Sequence, residues 1–226
     1  MSALIELLNY FLPTNCCLCQ KIGGALCDSC QVNFKIKPRQ TSRENLIGFS
    51  LCDYSDEAIT LIHSFKEGGE SALSKSLGAL LAQSFATELA NANLIPIPSA
   101  RTSSIKRGFQ PAQQLALALA SSARLKLNRL PLVQSCLTFN REVLDQAALS
   151  SSARAKNLSG AMSSIKPVGT CWLVDDVVTT GATVLEAARA VRAAGGQVAG
   201  FITFAESVRK RPPNSNFGYT VHTPAY

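Results

Sequence analysis

Short apolar runs alternate with amphipathic helical segments along most of the chain. Runs with the length of buried strands lie at residues 46–54, 93–98, 171–174 and 198–204. Helical patterns lie at residues 56–65, 71–91, from Pro111 to Leu125 and from Thr183 to Ala194. Because strands and helices alternate with these lengths, the pattern predicts parallel βαβ units. We therefore expect an α/β fold, most simply a doubly wound parallel sheet flanked by helices.

Three segments interrupt this alternation. Apolar residues at helical spacing across residues 4–12 predict a short amphipathic helix that docks on the rest of the chain. A polar, basic connection at 35–43 predicts a boundary between an N-terminal module, residues 1–43, and an α/β domain, residues 44–226. Residues 140–160 are rich in Ser, Ala and Arg without a clean period, so they predict a long mobile loop.

The composition suits a packed globular protein, because 46% of the residues are hydrophobic and only 16% are charged. The formal net charge of +7 favours anionic partners such as phosphates, nucleic acid or acidic membrane surfaces. The first basic side chain is Lys21, so we expect no secretory signal. No run approaches the roughly 18 apolar residues of a membrane span. These features predict a cytoplasmic protein without a transmembrane segment.

Five of the eight cysteines lie between residues 16 and 30, which favours a metal site over disulfides in a chain without a secretory signal. Two Cys-x-x-Cys knuckles can point four thiolates at one ion, the arrangement of structural zinc. The predicted ligands are Cys16, Cys19, Cys27 and Cys30. Cys17 is an alternative to Cys16, and iron in a rubredoxin-like site is an alternative to zinc. A thioredoxin-like redox motif explains only one of the two knuckles.

The three remaining cysteines stand alone in the sequence. They are Cys52, Cys136 and Cys171. We expect them to be buried small apolar residues.

The most specific chemistry lies in residues 171–196. A buried strand ends at Asp175 and Asp176, and the loop 179–183 (Thr-Thr-Gly-Ala-Thr) then opens a helix. At the carboxyl edge of a parallel sheet, such a loop faces the crevice where ligands bind, and the N–H groups of the helix N-terminus favour a phosphate. Gly181 permits a close backbone approach, the threonines add hydroxyl donors, and the two carboxylates can accept hydrogen bonds from the vicinal hydroxyls of a sugar. The loop lacks the Gly-x-x-x-x-Gly-Lys pattern, which argues against a P-loop nucleotidase.

The segment DDVVTTGAT, residues 175–183, resembles the motif of type I phosphoribosyltransferases that binds phosphoribosyl pyrophosphate (PRPP). The resemblance implies a parallel sheet of the type I phosphoribosyltransferase kind, with PRPP bound together with Mg²⁺. It also implies that Asp175 and Asp176 hold the ribose hydroxyls. The 5′-phosphate would be cradled by Thr179, Thr180, Gly181, Ala182 and Thr183.

Residues 95–116, IPIPSARTSSIKRGFQPAQQLA, resemble the Val-Pro-Val-Pro…Arg-Gly-Phe-Asn-Gln-Ala segment of ComF proteins, departing from it at Gln110-Pro111. The cysteine knuckles, Phe65-Lys66 and the Arg154-x-x-Asn157-Leu158-x-Gly160 segment resemble the same family. The resemblance implies a role in DNA uptake during natural transformation, with single-stranded DNA and competence or DNA-processing proteins as partners. By similarity to the transferases, pyrophosphate would be contacted by Arg101, Lys106 and Arg107. Residues 141–157, with Arg141, Arg154 and Lys156, resemble the flexible loop that closes over PRPP.

Transfer of the phosphoribosyl group also needs an acceptor site, and the sequence shows no recognisable base-binding hood. Neither His63 nor His222 lies in a motif that marks a catalytic base. Three functions therefore stay open: a ComF-type protein that handles PRPP or DNA, an active phosphoribosyltransferase of nucleotide metabolism, and a non-catalytic scaffold or regulator that senses PRPP.

Overall fold

The computed structural model describes residues 15–22, 24–67, 71–100, 108–143 and 156–207. Its helices are α1 (Asp28–Asn33), α2 (Asp56–Glu67), α3 (Ser71–Phe85), α4 (Pro111–Leu127) and α5 (Ala182–Ala193). Its strands are β1 (Arg39–Arg43), β2 (Leu46–Asp53), β3 (Asn93–Pro96), β4 (Leu137–Phe139), β5 (Met162–Ser164), β6 (Thr170–Val178) and β7 (Gln197–Glu206). The helix predicted across residues 4–12 lies outside the described residues.

The main sheet has the strand order β1-β2-β7-β6-β3. Strands β2, β7, β6 and β3 pair in parallel. Strand β1 pairs with β2 in antiparallel fashion and forms one edge of the sheet. The α/β class with a mostly parallel sheet is therefore confirmed. A second, two-stranded sheet joins β4 to β5. The hydrophobic pattern does not predict this pair, because strands of three residues are too short to show a period.

Helices cover both faces of the sheet, as the alternation along β6 requires. Trp172 and Val174 point into one apolar cluster, which α2, α3 and α4 cover with residues such as Phe65. Cys171 and Leu173 point into the opposite cluster, which α5 covers. Among the described residues, no helix combines the length and the apolar character needed to cross a membrane.

Among the described residues, each helix predicted from the pattern begins within one residue of its predicted start. The ends of α3 and β6 differ from the prediction. Helix α4 begins at Pro111, whose fixed φ and missing N–H suit the first helical position. Helix α3 ends at Phe85 instead of residue 91, and Trp172 Nε1 donates to the Glu88 carbonyl at 2.9 Å in the turn that follows. Strand β6 continues to Val178, so the two aspartates belong to the strand itself.

The basic connection at 35–43 is part of the sheet and not only a linker. Its second half is β1, in which Arg43 pairs with Leu46 of β2. The cysteine-rich segment also packs on the main core, because the Phe34 ring stacks on Phe204 of β7 with centroids 5.7 Å apart. The division of the chain into residues 1–43 and 44–226 stays a prediction.

Candidate functional site

Two adjacent carboxylates lie near the carboxyl end of β6, an interior strand of the sheet. Asp176 is 8% exposed, and its carboxylate pairs with the ammonium group of Lys66 from α2. The backbone N–H of Asp176 donates to Asp175 Oδ1 at 2.9 Å. Asp175 is partly buried and lies beside Thr203 of β7 in the parallel register. The fold therefore brings a cation from a distant helix to the predicted pair.

The two carboxyl groups have opposite pKa shifts. Desolvation raises the pKa of Asp175 well above its usual value, and the neighbouring charge of Asp176 raises it further. Desolvation acts on Asp176 as well, but the Lys66 ammonium outweighs it and lowers the pKa of Asp176. The two groups therefore titrate as a coupled pair, in which Asp176 is the more acidic member.

The loop 179–183 follows the pair directly and opens α5. Gly181 precedes the helix with a φ of 88°, the left-handed region that favours glycine. The Ala182 N–H donates a long hydrogen bond to Thr180 Oγ1 of its own loop, at 3.4 Å. Thr179, Thr180 and Thr183 are partly exposed and lie at the carboxyl edge of the sheet. The N–H groups of the first helical turn have no partners within the helix, which makes this edge suited to an anion.

Strand β1 clamps this loop, a contact that the sequence interpretation missed. Arg43 donates to the Thr179 carbonyl from Nε at 3.1 Å and from Nη2 at 2.9 Å. Its aliphatic stem fills the space where a side chain of residue 181 would lie, since an added Cβ there would come within 2.4 Å of Arg43 Cγ. The absence of a side chain at Gly181 therefore makes room for Arg43, in addition to any ligand.

Glu206 at the end of β7 anchors the polar face of β1. It accepts hydrogen bonds from Thr41 Oγ1 at 2.7 Å and from Arg39 Nε at 3.0 Å, and it pairs with Arg43 Nη2 at 2.8 Å. Burial opposes ionisation, but these donors lower the pKa of Glu206. The alternation of Arg39, Thr41 and Arg43 at a period of two is the sequence signal that places all three on one strand face.

Four cysteines form a second candidate site near the N-terminus. The sulfur atoms of Cys16, Cys19, Cys27 and Cys30 all lie within 4.8 Å of one another. The Cys19 and Cys27 sulfurs are 3.7 Å apart. Zinc–sulfur bonds of 2.3 Å in a tetrahedron place sulfurs about 3.8 Å apart, so the spacing fits zinc. Cys17 is not a member of this group, which favours the predicted Cys16 as the ligand.

Backbone hydrogen bonds shape both knuckles. The first turns tightly, with Cys16 N donating to Lys21 O and Gln20 N donating to Cys16 O, both at 2.8 Å. In the second knuckle, Cys27 precedes α1. Burial raises the pKa of Cys16, but N–H groups of Cys27, Cys19 and Leu18 lower it to about 6. The four sulfurs lie at tetrahedral spacing, so the cluster could bind zinc.

Only some of the other predicted residues lie within the described part of the chain. Arg101, Lys106, Arg107 and Arg154 lie outside the described residues. Arg141 donates to the Asn157 carbonyl at 2.8 Å, and Lys156 is exposed. Gln110, where the ComF pattern differs, accepts a hydrogen bond from Ser99 N at 2.9 Å.

The three isolated cysteines are buried, as predicted. They are Cys52, Cys136 and Cys171. Burial raises the pKa of Cys52 to about 12 and that of Cys171 to about 11, so neither thiol forms a thiolate near neutral pH.

The fold defines an α/β protein with a mostly parallel sheet, and comparisons with known proteins give its family. The family model described as phosphoribosyl transferase domain matches residues 105–224, just over half of the chain. The chain therefore belongs to the phosphoribosyl transferase domain family.

Two individual proteins resemble parts of the chain. The orotate phosphoribosyltransferase of Pyrobaculum aerophilum is 66% identical over 32 residues, which are 14% of this chain and 17% of that relative. The chain thus matches less than a fifth of that protein. The crystal structure of adenine phosphoribosyltransferase from Leishmania tarentolae aligns with 75% of this chain and 94% of its own, at 13% identity and a TM-score of 0.36.

Proposed function

We propose that this protein binds PRPP, or a related ribose phosphate, at the carboxyl edge of its sheet. One observation carries the proposal: the segment DDVVTTGAT folds as the end of a central strand, a glycine-containing loop and the start of a helix. In this arrangement Asp175 and Asp176 accept hydrogen bonds from the ribose hydroxyls. The 5′-phosphate lies against the loop 179–183 and the N-terminus of α5, where N–H groups and the helix dipole favour negative charge.

The chemistry open to this site is phosphoribosyl transfer. The bond between ribose C1 and the pyrophosphate oxygen breaks, and an acceptor atom forms the new bond to C1. The protein would position the ribose through the Asp pair and the loop, and Arg101, Lys106 and Arg107 would contact the leaving pyrophosphate. Bound Mg²⁺ would offset the charge of that leaving group.

Calorimetric titration with Mg²⁺ and PRPP tests this proposal. We expect saturable binding by the parent and at least a roughly tenfold weaker affinity in an Asp175→Asn, Asp176→Asn double variant, since both acceptors become neutral amides. An Asp56→Asn, Glu57→Gln variant is the matched control, because that adjacent acidic pair is exposed on α2. Equal affinity in the parent and the double variant, with both folded, would contradict the proposal. Pyrophosphate release that depends on an added nitrogenous base would show an active transferase.

We also propose that the protein is of the ComF type, with a structural zinc ion in its cysteine cluster and a role in DNA uptake. The support is the ComF-like segment at 95–116 together with two knuckles that meet as one four-sulfur cluster. In the source organism, the Asp175→Asn, Asp176→Asn variant should then lower transformation frequency. Unchanged transformation in this variant and in a Cys27→Ser variant would contradict the ComF role. Loss in Cys27→Ser alone would favour a scaffold function.

A further inference from the structure

We propose that Arg43 is a positioning residue that holds the phosphate-binding loop in its binding conformation without contacting the ligand. The inference rests on the proposed function of that loop. Arg43 lies on the edge strand β1, yet two of its guanidinium nitrogens donate to the Thr179 carbonyl, at 3.1 and 2.9 Å. These two hydrogen bonds hold the loop from a strand to which the loop does not belong.

Protein acceptors account for every N–H group of the Arg43 guanidinium, which has five. Nε donates to Thr179 O, and Nη1 donates to Thr41 Oγ1 at 3.0 Å and to Ser42 O at 2.9 Å. Nη2 donates to Thr179 O and pairs with Glu206 Oε1. No donor is left for a phosphate oxygen, so Arg43 acts through the loop backbone.

The orientation of one peptide plane links this contact to phosphate binding. A trans peptide is planar, and its C=O and N–H point in opposite directions. Because Arg43 holds the Thr179 carbonyl towards β1, the Thr180 N–H is directed to the other side of the loop. A loop N–H that is fixed in direction needs no further ordering when an anion arrives, which strengthens binding.

The stem of Arg43 restricts the loop at a second point. Gly181 has a φ of 88°, and the position of a side chain there is filled by the Cβ, Cγ and Cδ atoms of Arg43. The side chain of Arg43 is itself only 15% exposed and is held by Glu206, which is 9% exposed. The loop is therefore held by a partly buried side chain that is itself anchored by Glu206.

The test compares Arg43→Lys and Arg43→Met with the parent, and uses Arg192→Met, an exposed arginine of α5, as the matched control. Lysine keeps the charge but cannot form the fork of two hydrogen bonds. Calorimetry with ribose 5-phosphate and, separately, with pyrophosphate measures each half of the ligand. We expect both Arg43 variants to bind ribose 5-phosphate roughly tenfold to hundredfold more weakly, the range for losing a hydrogen bond to a charged group. Pyrophosphate affinity and the control should not change.

Amide hydrogen exchange of residues 179–183 in the ligand-free proteins separates this inference from the proposed function. We expect the loop amides to exchange at least roughly tenfold faster in both variants while α5 stays protected. If the parent bound neither ligand, the proposed function would fail, and the exchange rates alone would decide the role of Arg43. Parent-like affinity and exchange in Arg43→Lys would overturn the inference, because charge alone would then suffice. An equal loss of pyrophosphate affinity would point to general destabilisation and would overturn it as well.

Discussion

Asp175 and Asp176 show how two neighbouring residues of one type acquire different properties. Both carboxyl groups are shielded from water near the end of β6, and the Lys66 ammonium pairs with Asp176. The pKa of Asp175 rises and the pKa of Asp176 falls as a result. The sequence predicts the pair as hydrogen-bond acceptors, but not this asymmetry, because Lys66 lies on a helix far away along the chain.

The Lys66 pair predicts a pH-dependent change in stability. Replacing Lys66 by Met leaves a buried carboxylate without its partner and should lower the melting temperature at pH 7 by roughly 3–8 °C. The folded pKa of Asp176 lies below its usual 3.8, so the contribution of the pair is fully present above that value and is lost as the pH falls through the folded pKa. The difference between parent and variant should therefore be largest at pH 7 to 8 and should have shrunk below pH 4, where the carboxylate becomes protonated in both proteins.

Thermal melts across this pH range check the prediction. A Lys75→Met variant is the control, because Lys75 is exposed on the neighbouring helix α3. Equal melting temperatures of parent and Lys66→Met at pH 7 would show that the ion pair contributes nothing. A difference that persisted unchanged in acid would assign the effect to packing of the lysine stem instead.

At the scale of elements, apolar patterning predicted the four parallel strands of the main sheet and missed β1, which lies at one edge. Residues 46–54, 93–98 and 198–204 are apolar because both sheet faces are covered, so their strands stand out in the sequence. Strand β1 is Arg-Gln-Thr-Ser-Arg, and none of its residues is buried, so its pairing with β2 leaves no apolar signal. The alternation of its polar residues was the only sequence signal for this strand, which contacts the loop of the candidate site.

The cysteine element predicts metal-dependent stability. We expect one tightly bound metal ion per chain by elemental analysis, zinc if the site is structural, and a fall of at least about 5 °C in melting temperature on chelation. Cys27→Ser should lose the ion, because it removes one of four ligands. Cys17→Ser should retain it, because Cys17 lies outside the four-sulfur group.

Two results would contradict this assignment. If the purified protein contained no metal, and chelation left its melting temperature unchanged, the cluster would not be a metal site that stabilises the fold. Loss of the ion in Cys17→Ser, with retention in Cys16→Ser, would exchange the two ligands. Iron in place of zinc would give a coloured protein with the same ligand set.

At the scale of the whole molecule, the order of the strands in the sheet decides where the site lies. This order cannot be read from the linear sequence. Strand β7 comes last along the described chain but lies between β2 and β6. This insertion places Glu206 between β1 and the loop after β6, so that Arg43 can reach both. Phe34 on Phe204 fastens the cysteine segment to the same strand. The four-cysteine cluster and the candidate phosphate-binding edge are thus attached to one sheet.

A crystal structure of the protein with Mg²⁺ and PRPP would show whether this edge of the sheet binds PRPP. We expect 5′-phosphate oxygens at about 3 Å from the N–H groups of the loop 179–183, and ribose hydroxyls at hydrogen-bond distance from Asp175 and Asp176. We also expect Arg43 to keep its hydrogen bonds to Thr179 and to make none to the phosphate. PRPP bound elsewhere, with the loop free of phosphate, would rule out the proposed site.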